Sequence, residues 1–352
     1  MLRQILRTLP KRTIFKFLAG FACLIAYMPL LIAAEQINFP SKFDSLGPTV
    51  QQLQVQSGRT VHFVDDGNEG GTPVVFTGGL GTSVRVIRLL DFLESMRRDL
   101  NLRFITVERN GFGQTEFDDS LTMADFVSDV EAVLSHLQID EFSLFGISGG
   151  GPYTAKIAES NADRLLSIHM AATSPAIGNP QRCSNGTSSP YSEMLRYPMQ
   201  FFGFPADSPL HQITGFQDTA FDEAARAHNL RGQSADVAPL MHELNLYCTE
   251  DPMDSAHITA PVYVYLGLQD RVLASVNPED WVEAYPNANV RVRTYPDGGH
   301  DVQYRHLDQI LLDMAGMGDQ ILVCEEGAEK MVSSETVPGR DPGTIGLCAW
   351  QN

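Results

Sequence analysis

The stretch Phe145-Gly146-Ile147-Ser148-Gly149-Gly150-Gly151-Pro152-Tyr153 constrains this chain more than any other. An apolar run, Phe142 to Ile147, leads into it, and a helix-like segment, Tyr153 to Ser160, leaves it. A serine between a strand and a helix, with glycine two residues before and two after, has the spacing of a nucleophile elbow. Such a turn is so tight that the serine is forced into a strained backbone conformation and its hydroxyl stands clear. Side chains at 146 and 150 would collide with the neighbouring strand and helix, so both positions must be small. The new helix directs its free N–H groups and positive dipole end at the serine. The N–H of Gly149 is thereby placed to hold an oxyanion. The same five-residue pattern also occurs in plain structural turns. Its meaning therefore depends on whether a base, an acid and a second oxyanion donor follow in the right order.

The rest of the chain supplies that context. Strand-like segments fall at Thr49 to Gln56, Arg59 to Val64, Pro73 to Thr77, Leu102 to Val107, Phe142 to Ile147, Arg164 to Ala171, Pro261 to Leu266 and Val290 to Tyr295. Helical spacing falls at Val84 to Arg98, Leu121 to Leu137, Tyr153 to Ser160, Pro278 to Ala284 and Val302 to Met314. Strands alternating with helices at this pitch predict an α/β fold, a mostly parallel twisted sheet with helices on both faces. The alternation stops between Thr173 and Thr259, a stretch rich in Pro, Gly, Ser and aromatics. Helix-like pieces near Tyr191 to Phe202 and Phe221 to Arg226 make it an inserted, helical cap. The expected organisation is a leader at 1–34, a core at 35–172 and 260–319, a cap at 173–259 and a tail at 320–352.

The formal charge of −18 argues against a nucleic-acid partner. Residues 1–16 are basic, and residues 17–34 are uncharged and mostly apolar. That order is the n-region and h-region of a secretory signal. A run of 18 also sits at the lower limit for a membrane span, so an uncleaved anchor is the alternative. Either way export is expected, to the periplasm or outside the cell, with membrane attachment through residues 17–34 in the second case. Cys23 lies inside this leader, and Cys183, Cys248, Cys324 and Cys348 remain, an even number that suits an oxidising compartment. Pairing 183 with 248 and 324 with 348 closes two local units. No two cysteines are closely spaced, so zinc is not expected and the metal set is none. Asn185-Gly186-Thr187 is a glycosylation acceptor pattern that matters only in a eukaryotic host.

Four motifs occur in order, each at a strand end. They are Gly78-Gly79-Leu80-Gly81-Thr82-Ser83, Arg109-Asn110-Gly111-Phe112-Gly113-Gln114-Thr115, the elbow Gly146 to Gly150, and Gly267-Leu268-Gln269-Asp270 with Gly298-Gly299-His300. Across residues 50–316 the chain resembles the α/β-hydrolase family. The first motif is similar to its His-Gly-x-Gly oxyanion loop, with Gly78 where the histidine usually stands. The second is similar to its Arg-Gly-x-Gly-x-Ser loop. The resemblance implies Ser148 as nucleophile, His300 as base and Asp270 as the orienting acid, in the Ser, Asp, His order of that sheet. Some relatives carry the acid one strand earlier, but here that strand leads into Ala171-Ala172-Thr173-Ser174, which has none. The N–H groups of Leu80 and Gly149 are the implied oxyanion donors. Chemistry assigns the same roles, because a serine hydroxyl needs a base in contact and the base an acid that stabilises its charged form.

His306 is expected on the last helix and His211 and His242 in the cap, all in surface or packing roles. Asp301 is expected to serve the start of the last helix. Tyr197, Phe201, Phe202 and Phe204 either line an apolar pocket beneath the cap or are plain core. The expected function is a serine hydrolase cleaving an ester or similar acyl bond of a small, partly apolar substrate, with no cofactor. The same triad also serves peptide, lactone and C–C bond cleavage and peracid formation. A non-catalytic hydrolase-like binding protein is the alternative from another class. A serine at 148 argues against epoxide hydrolase or dehalogenase chemistry, which in this fold resembles an aspartate nucleophile.

Overall fold

The structure, a computed structural model, describes residues 47–175, 188–195, 197, 200, 204, 208–230, 235–273, 276–339 and 344–350. All belong to one compact unit, Phe39–Asn352. The leader, Cys183, the glycosylation pattern, Phe201 and Phe202 lie outside the described residues.

Among the described residues the main sheet has eight strands in the order β1-β2-β4-β3-β5-β6-β7-β8. The hairpin of β1 (Gln51–Gln54) and β2 (Thr60–Asp66) forms one edge, and β2 pairs antiparallel with β4 (Leu102–Val107). From β4 onward, β3 (Thr72–Thr77), β5 (Phe142–Ile147), β6 (Leu165–Ala171), β7 (Val262–Gly267) and β8 (Val290–Tyr295) all run parallel. Every residue of β5 is buried, as a central parallel strand covered on both faces requires. All the motifs leave the C-terminal ends of parallel strands, where open α/β sheets place their sites.

Alternation along the strands sends successive side chains to opposite faces. On one face Val75, Ile105, Leu144, Ile168 and Val264 join one core cluster with α2 (Met123–His136) and α3 (Gly151–Ser160). Trp281 and Tyr285, from and just after α7 (Pro278–Ala284), belong to the same cluster. Thr122 and Asp125 form a capping box that fixes where α2 begins. On the other face Phe76, Phe104 and Phe145 pack on one another, and Arg97 of α1 (Glu94–Asp99) covers the Phe104 ring.

Three elements differ from the sequence expectation. Val84 to Arg98 is not one α-helix: Val84–Leu93 is a 3-10 helix, followed by α1. Nine of those ten residues are buried, Arg88 and Asp91 among them, so packing overrides helical propensity there. Val302 to Met314 is broken at His306 into α8 (Val302–Arg305) and α9 (Leu307–Met314). His306 stacks on Tyr295 with ring centroids 3.6 Å apart, which settles it in a packing role. The tail contains a hairpin, β9 (Gln320–Glu325) and β10 (Ala328–Ser333). Its turn residues Glu326 and Gly327 both have positive φ, the geometry of a two-residue turn usually signalled by Asn-Gly.

Between β6 and β7 lie α4 (Ser188–Met194), α5 (Phe216–Ala227) and α6 (Ala238–Thr249). The piece expected at Phe221 to Arg226 is the second half of α5, while α6 carries no clear amphipathic signal in the sequence. A disulfide joins Cys324 to Cys348, as the pairing expected. Cys248 is also disulfide-bonded.

Candidate active site

The elbow has the predicted strain. Ser148 has φ +47°, a left-handed conformation that a side chain adopts only where the surroundings impose it. A Cβ at Gly146 would stand 2.2 Å from Thr154 Oγ1, and one at Gly150 would stand 2.3 Å from the Thr77 carbonyl oxygen. Thr77 Oγ1 donates to the carbonyl of Gly150 at 3.1 Å and contacts the Thr154 hydroxyl, tying β3 to the first turn of α3.

The structure brings the three expected residues together. Ser148 Oγ lies 2.8 Å from His300 Nε2, and His300 Nδ1 lies 2.8 Å from Asp270 Oδ2. The carboxylate accepts the Nδ1 proton, which leaves Nε2 to accept from the serine hydroxyl. The other Asp270 oxygen accepts the N–H groups of Val272 at 2.7 Å and Leu273 at 3.0 Å, so its orientation is fixed before the histidine arrives. Burial opposes ionisation of Asp270, but the His300 hydrogen bond and charge and the two N–H groups outweigh it. Its carboxyl is held below the ordinary value. Backbone pairing sets the distance between the two loops. Leu268 N donates to Tyr295 O and Gln269 N to Gly298 O, each at 2.9 Å. A Cβ at Gly267 would stand 2.4 Å from Gly299 O, so this approach needs glycine.

The oxyanion loop meets the elbow directly. A Cβ on Gly149 would fall 2.7 Å from Leu80 N, which puts the two expected donors on one side of Ser148. Gly79, Leu80, Thr82, Ile147, Ser148, Val272, His300, Gln303 and Tyr304 line a cavity of about 90 Å³. Arg109 anchors the loop, donating to Gly78 O at 2.8 Å and to Gly79 O. Holding a peptide's carbonyl aims its N–H the opposite way, so the contact on Gly79 O directs Leu80 N–H.

Carboxylates bind the same loop, and sequence reading did not single them out. Glu243 of α6 accepts Gly81 N at 2.7 Å and pairs with Arg109 at 2.9 Å. Glu223 of α5 accepts Ser83 N at 2.6 Å and Ser83 Oγ at 2.9 Å, and Glu108 after β4 accepts Val84 N at 3.3 Å. Nothing in an acid on an amphipathic helix announces burial, and Asp222-Glu223 reads as a solvated face. Asp301 stands at the N-cap of α8, as expected, and its carbonyl accepts Tyr304 N at 2.9 Å and Arg305 N at 3.0 Å. Its carboxylate makes no helix-cap bond and instead accepts from Ser208 of the insertion and from Gly299 N at 3.2 Å. His242 donates from its ring to Leu121 O at 2.8 Å and His211 pairs with Gln217, both away from Ser148.

These buried acids give the fold a pH dependence with a definite sign. Burial pushes Glu223 up to about 8 and Glu108 up to about 7. A carboxyl whose value is raised by folding contributes stability that is present below its unfolded value and is lost as pH rises through the folded value. The buried histidines act the other way: burial lowers His169 and His306 to about 3, but they matter only below the ordinary 6.5. Among the described residues, Asp91 and Asp308 are also raised by burial to about 7, so Tm measured by calorimetry falls between pH 6.5 and 8. Glu223→Gln is expected to flatten the fall, because it removes one group that takes up a proton on folding. A rising Tm across that window contradicts this burial assignment.

The comparisons with known proteins agree with the fold. The model of the family described as "Serine aminopeptidase, S33" matches residues 73–304. A probable proline iminopeptidase of Leptolyngbya boryana is 29% identical over 119 residues, which is 33% of this chain and 36% of that relative's length. The fold is shared with a hydrolase from Pseudomonas aeruginosa PA01, with TM-score 0.57, 17% identity, and 76% of this chain and 98% of that one covered. It is also shared with the esterase EaEST from Exiguobacterium antarcticum, with TM-score 0.55, 17% identity, and 76% and 98% covered. With a mostly parallel sheet and this loop arrangement, the chain belongs to the serine aminopeptidase S33 family of α/β hydrolases.

Proposed function

We propose that the protein is a serine hydrolase that cleaves an ester, or a similar acyl bond, of a small and partly apolar substrate through an acyl-Ser148 intermediate. The observation that carries this reading is the Ser148–His300–Asp270 chain of hydrogen bonds at 2.8 Å and 2.8 Å, beside a cavity that the oxyanion loop also lines. His300 takes the serine proton as Oγ attacks the acyl carbon and returns it to the leaving group. Leu80 N–H and Gly149 N–H receive the negative charge that develops on the acyl oxygen. Water then enters, is deprotonated by the same histidine and releases the acid. The helical insertion covers this centre as a cap, with core segments on either side of it in the chain. No cofactor takes part in these steps.

A second reading, release of an N-terminal residue from a peptide, is favoured by the name of the matched family and by the proline iminopeptidase relative. An α-ammonium group calls for an acceptor carboxylate, and none is present among the described residues that line the cavity. Glu223 and Glu243 are engaged with the oxyanion loop. The ester reading is therefore preferred. A parallel screen of short-chain p-nitrophenyl esters, lactones and aminoacyl amides separates the two. Short esters are expected to show the highest kcat/KM, and turnover of prolyl amides alone contradicts the preference.

Export of the chain is proposed on two supports, the basic-then-apolar start and the disulfide of Cys324 with Cys348. No helix among the described residues is long and apolar enough to cross a membrane.

A further inference from the structure

Two side chains of α6 reach the two halves of the oxyanion hole at once. Glu243 and Tyr247 are four residues apart and therefore share one face of the helix. Glu243 Oε2 accepts Gly81 N at 2.7 Å, one peptide beyond the Leu80 donor. Tyr247 Oη donates to Gly149 O at 2.5 Å, one peptide beyond the Gly149 donor. Arg109 links them to the rest of the loop, since its guanidinium pairs with Glu243 while donating to Gly78 O and Gly79 O. Burial and the adjacent Glu243 carboxylate push the Tyr247 phenol well above its ordinary value, so it remains a donor at any working pH.

We propose that Glu243 and Tyr247 are positioning residues that hold the oxyanion hole from the helical insertion, so that the insertion helps complete the catalytic centre as well as covering it. The loop Gly78 to Ser83 and the elbow are separate segments, and no covalent constraint fixes Leu80 N–H relative to Gly149 N–H. One rigid helix that bonds to both segments sets that separation. Oxyanion donors stabilise charge only when they are pre-aligned on the oxygen's position in the transition state. Loosening either contact should therefore weaken transition-state stabilisation while leaving ground-state binding nearly intact. A cationic guanidinium on the carbonyl of the Gly79–Leu80 peptide also strengthens its N–H as a donor, through the polarisation of linked hydrogen bonds.

This inference rests on the serine-hydrolase reading, and its test keeps the two apart. Wild type, Ser148→Ala, Tyr247→Phe and Glu243→Gln are compared on one p-nitrophenyl ester, with a boronic acid that forms a tetrahedral serine adduct as inhibitor. Removing an oxyanion donor outright costs about 100- to 1000-fold, so misplacing one should cost about 10- to 100-fold in kcat, with KM changed by less than about threefold. The boronate inhibition constant should rise by the same factor as kcat/KM falls. Tyr247→Phe keeps the ring and removes only the hydroxyl, so it decides the matter if Glu243→Gln fails to fold. If Tyr247→Phe lowers Tm but leaves kcat and boronate affinity at wild-type values, the side chain is merely structural and the proposal is overturned. If Ser148→Ala retains wild-type activity, the serine-hydrolase reading itself has failed.

Discussion

Replacing Ser148 with alanine is expected to lower turnover about a million-fold, and His300→Ala should do the same, while the double variant loses little more. The serine hydroxyl is a weak nucleophile until a base in contact removes its proton, and among the described residues the ring nitrogen at that distance is His300 Nε2 at 2.8 Å. Either loss therefore removes the same step. What survives is the background due to binding and the oxyanion donors. Single-turnover kinetics on a chromogenic ester measures each factor. Effects of Ser148→Ala and His300→Ala that multiply in the double variant would show that the two residues do not act as a unit.

Asp270→Asn carries the second largest expected effect, about ten-thousand-fold in kcat. The carboxylate does not take the proton. It holds His300 in the tautomer with the proton on Nδ1 and stabilises the imidazolium that forms during attack. An asparagine here still meets the N–H groups of Val272 and Leu273 with its oxygen, and so presents its NH2 to Nδ1. The ring is then driven to the opposite tautomer, with its proton facing the serine. Asp254 has an exposed side chain, and Asp254→Asn should leave activity within about twofold. If Asp254→Asn were crippling and Asp270→Asn nearly silent, the acid would have been misassigned.

The parts of this site that were legible in the sequence are those whose chemistry forces local small residues. Gly146 and Gly150 are required by contacts of 2.2 and 2.3 Å that a Cβ would make, and Gly267 by its approach to the loop that carries His300. Such requirements leave a fixed spacing in the chain, and the strands that carry them are continuous apolar runs. The supports of the oxyanion loop left no such trace. Glu223, Glu243 and Tyr247 act because tertiary packing buries them against main-chain N–H and C=O groups more than 60 residues away in sequence. In isolation each looks like an ordinary residue of an exposed helix face. Arg109 was visible as part of a motif, but its use as an anchor for Gly78 O and Gly79 O is a property of the fold. The 3-10 path of Val84–Leu93 and the Glu326-Gly327 hairpin were missed for the same kind of reason. In the first, burial overrode propensity, and in the second, a positive φ sits on a glutamate.

The claim that Ser148 is an activated nucleophile is tested most directly by covalent labelling. The purified protein is treated with a fluorophosphonate, digested, and the modified residue located by mass spectrometry. The account predicts stoichiometric phosphonylation of Ser148 alone, slowed strongly by Asp270→Asn and abolished by His300→Ala. No labelling of the folded wild-type protein, or labelling of another serine that persists in Ser148→Ala, would contradict it.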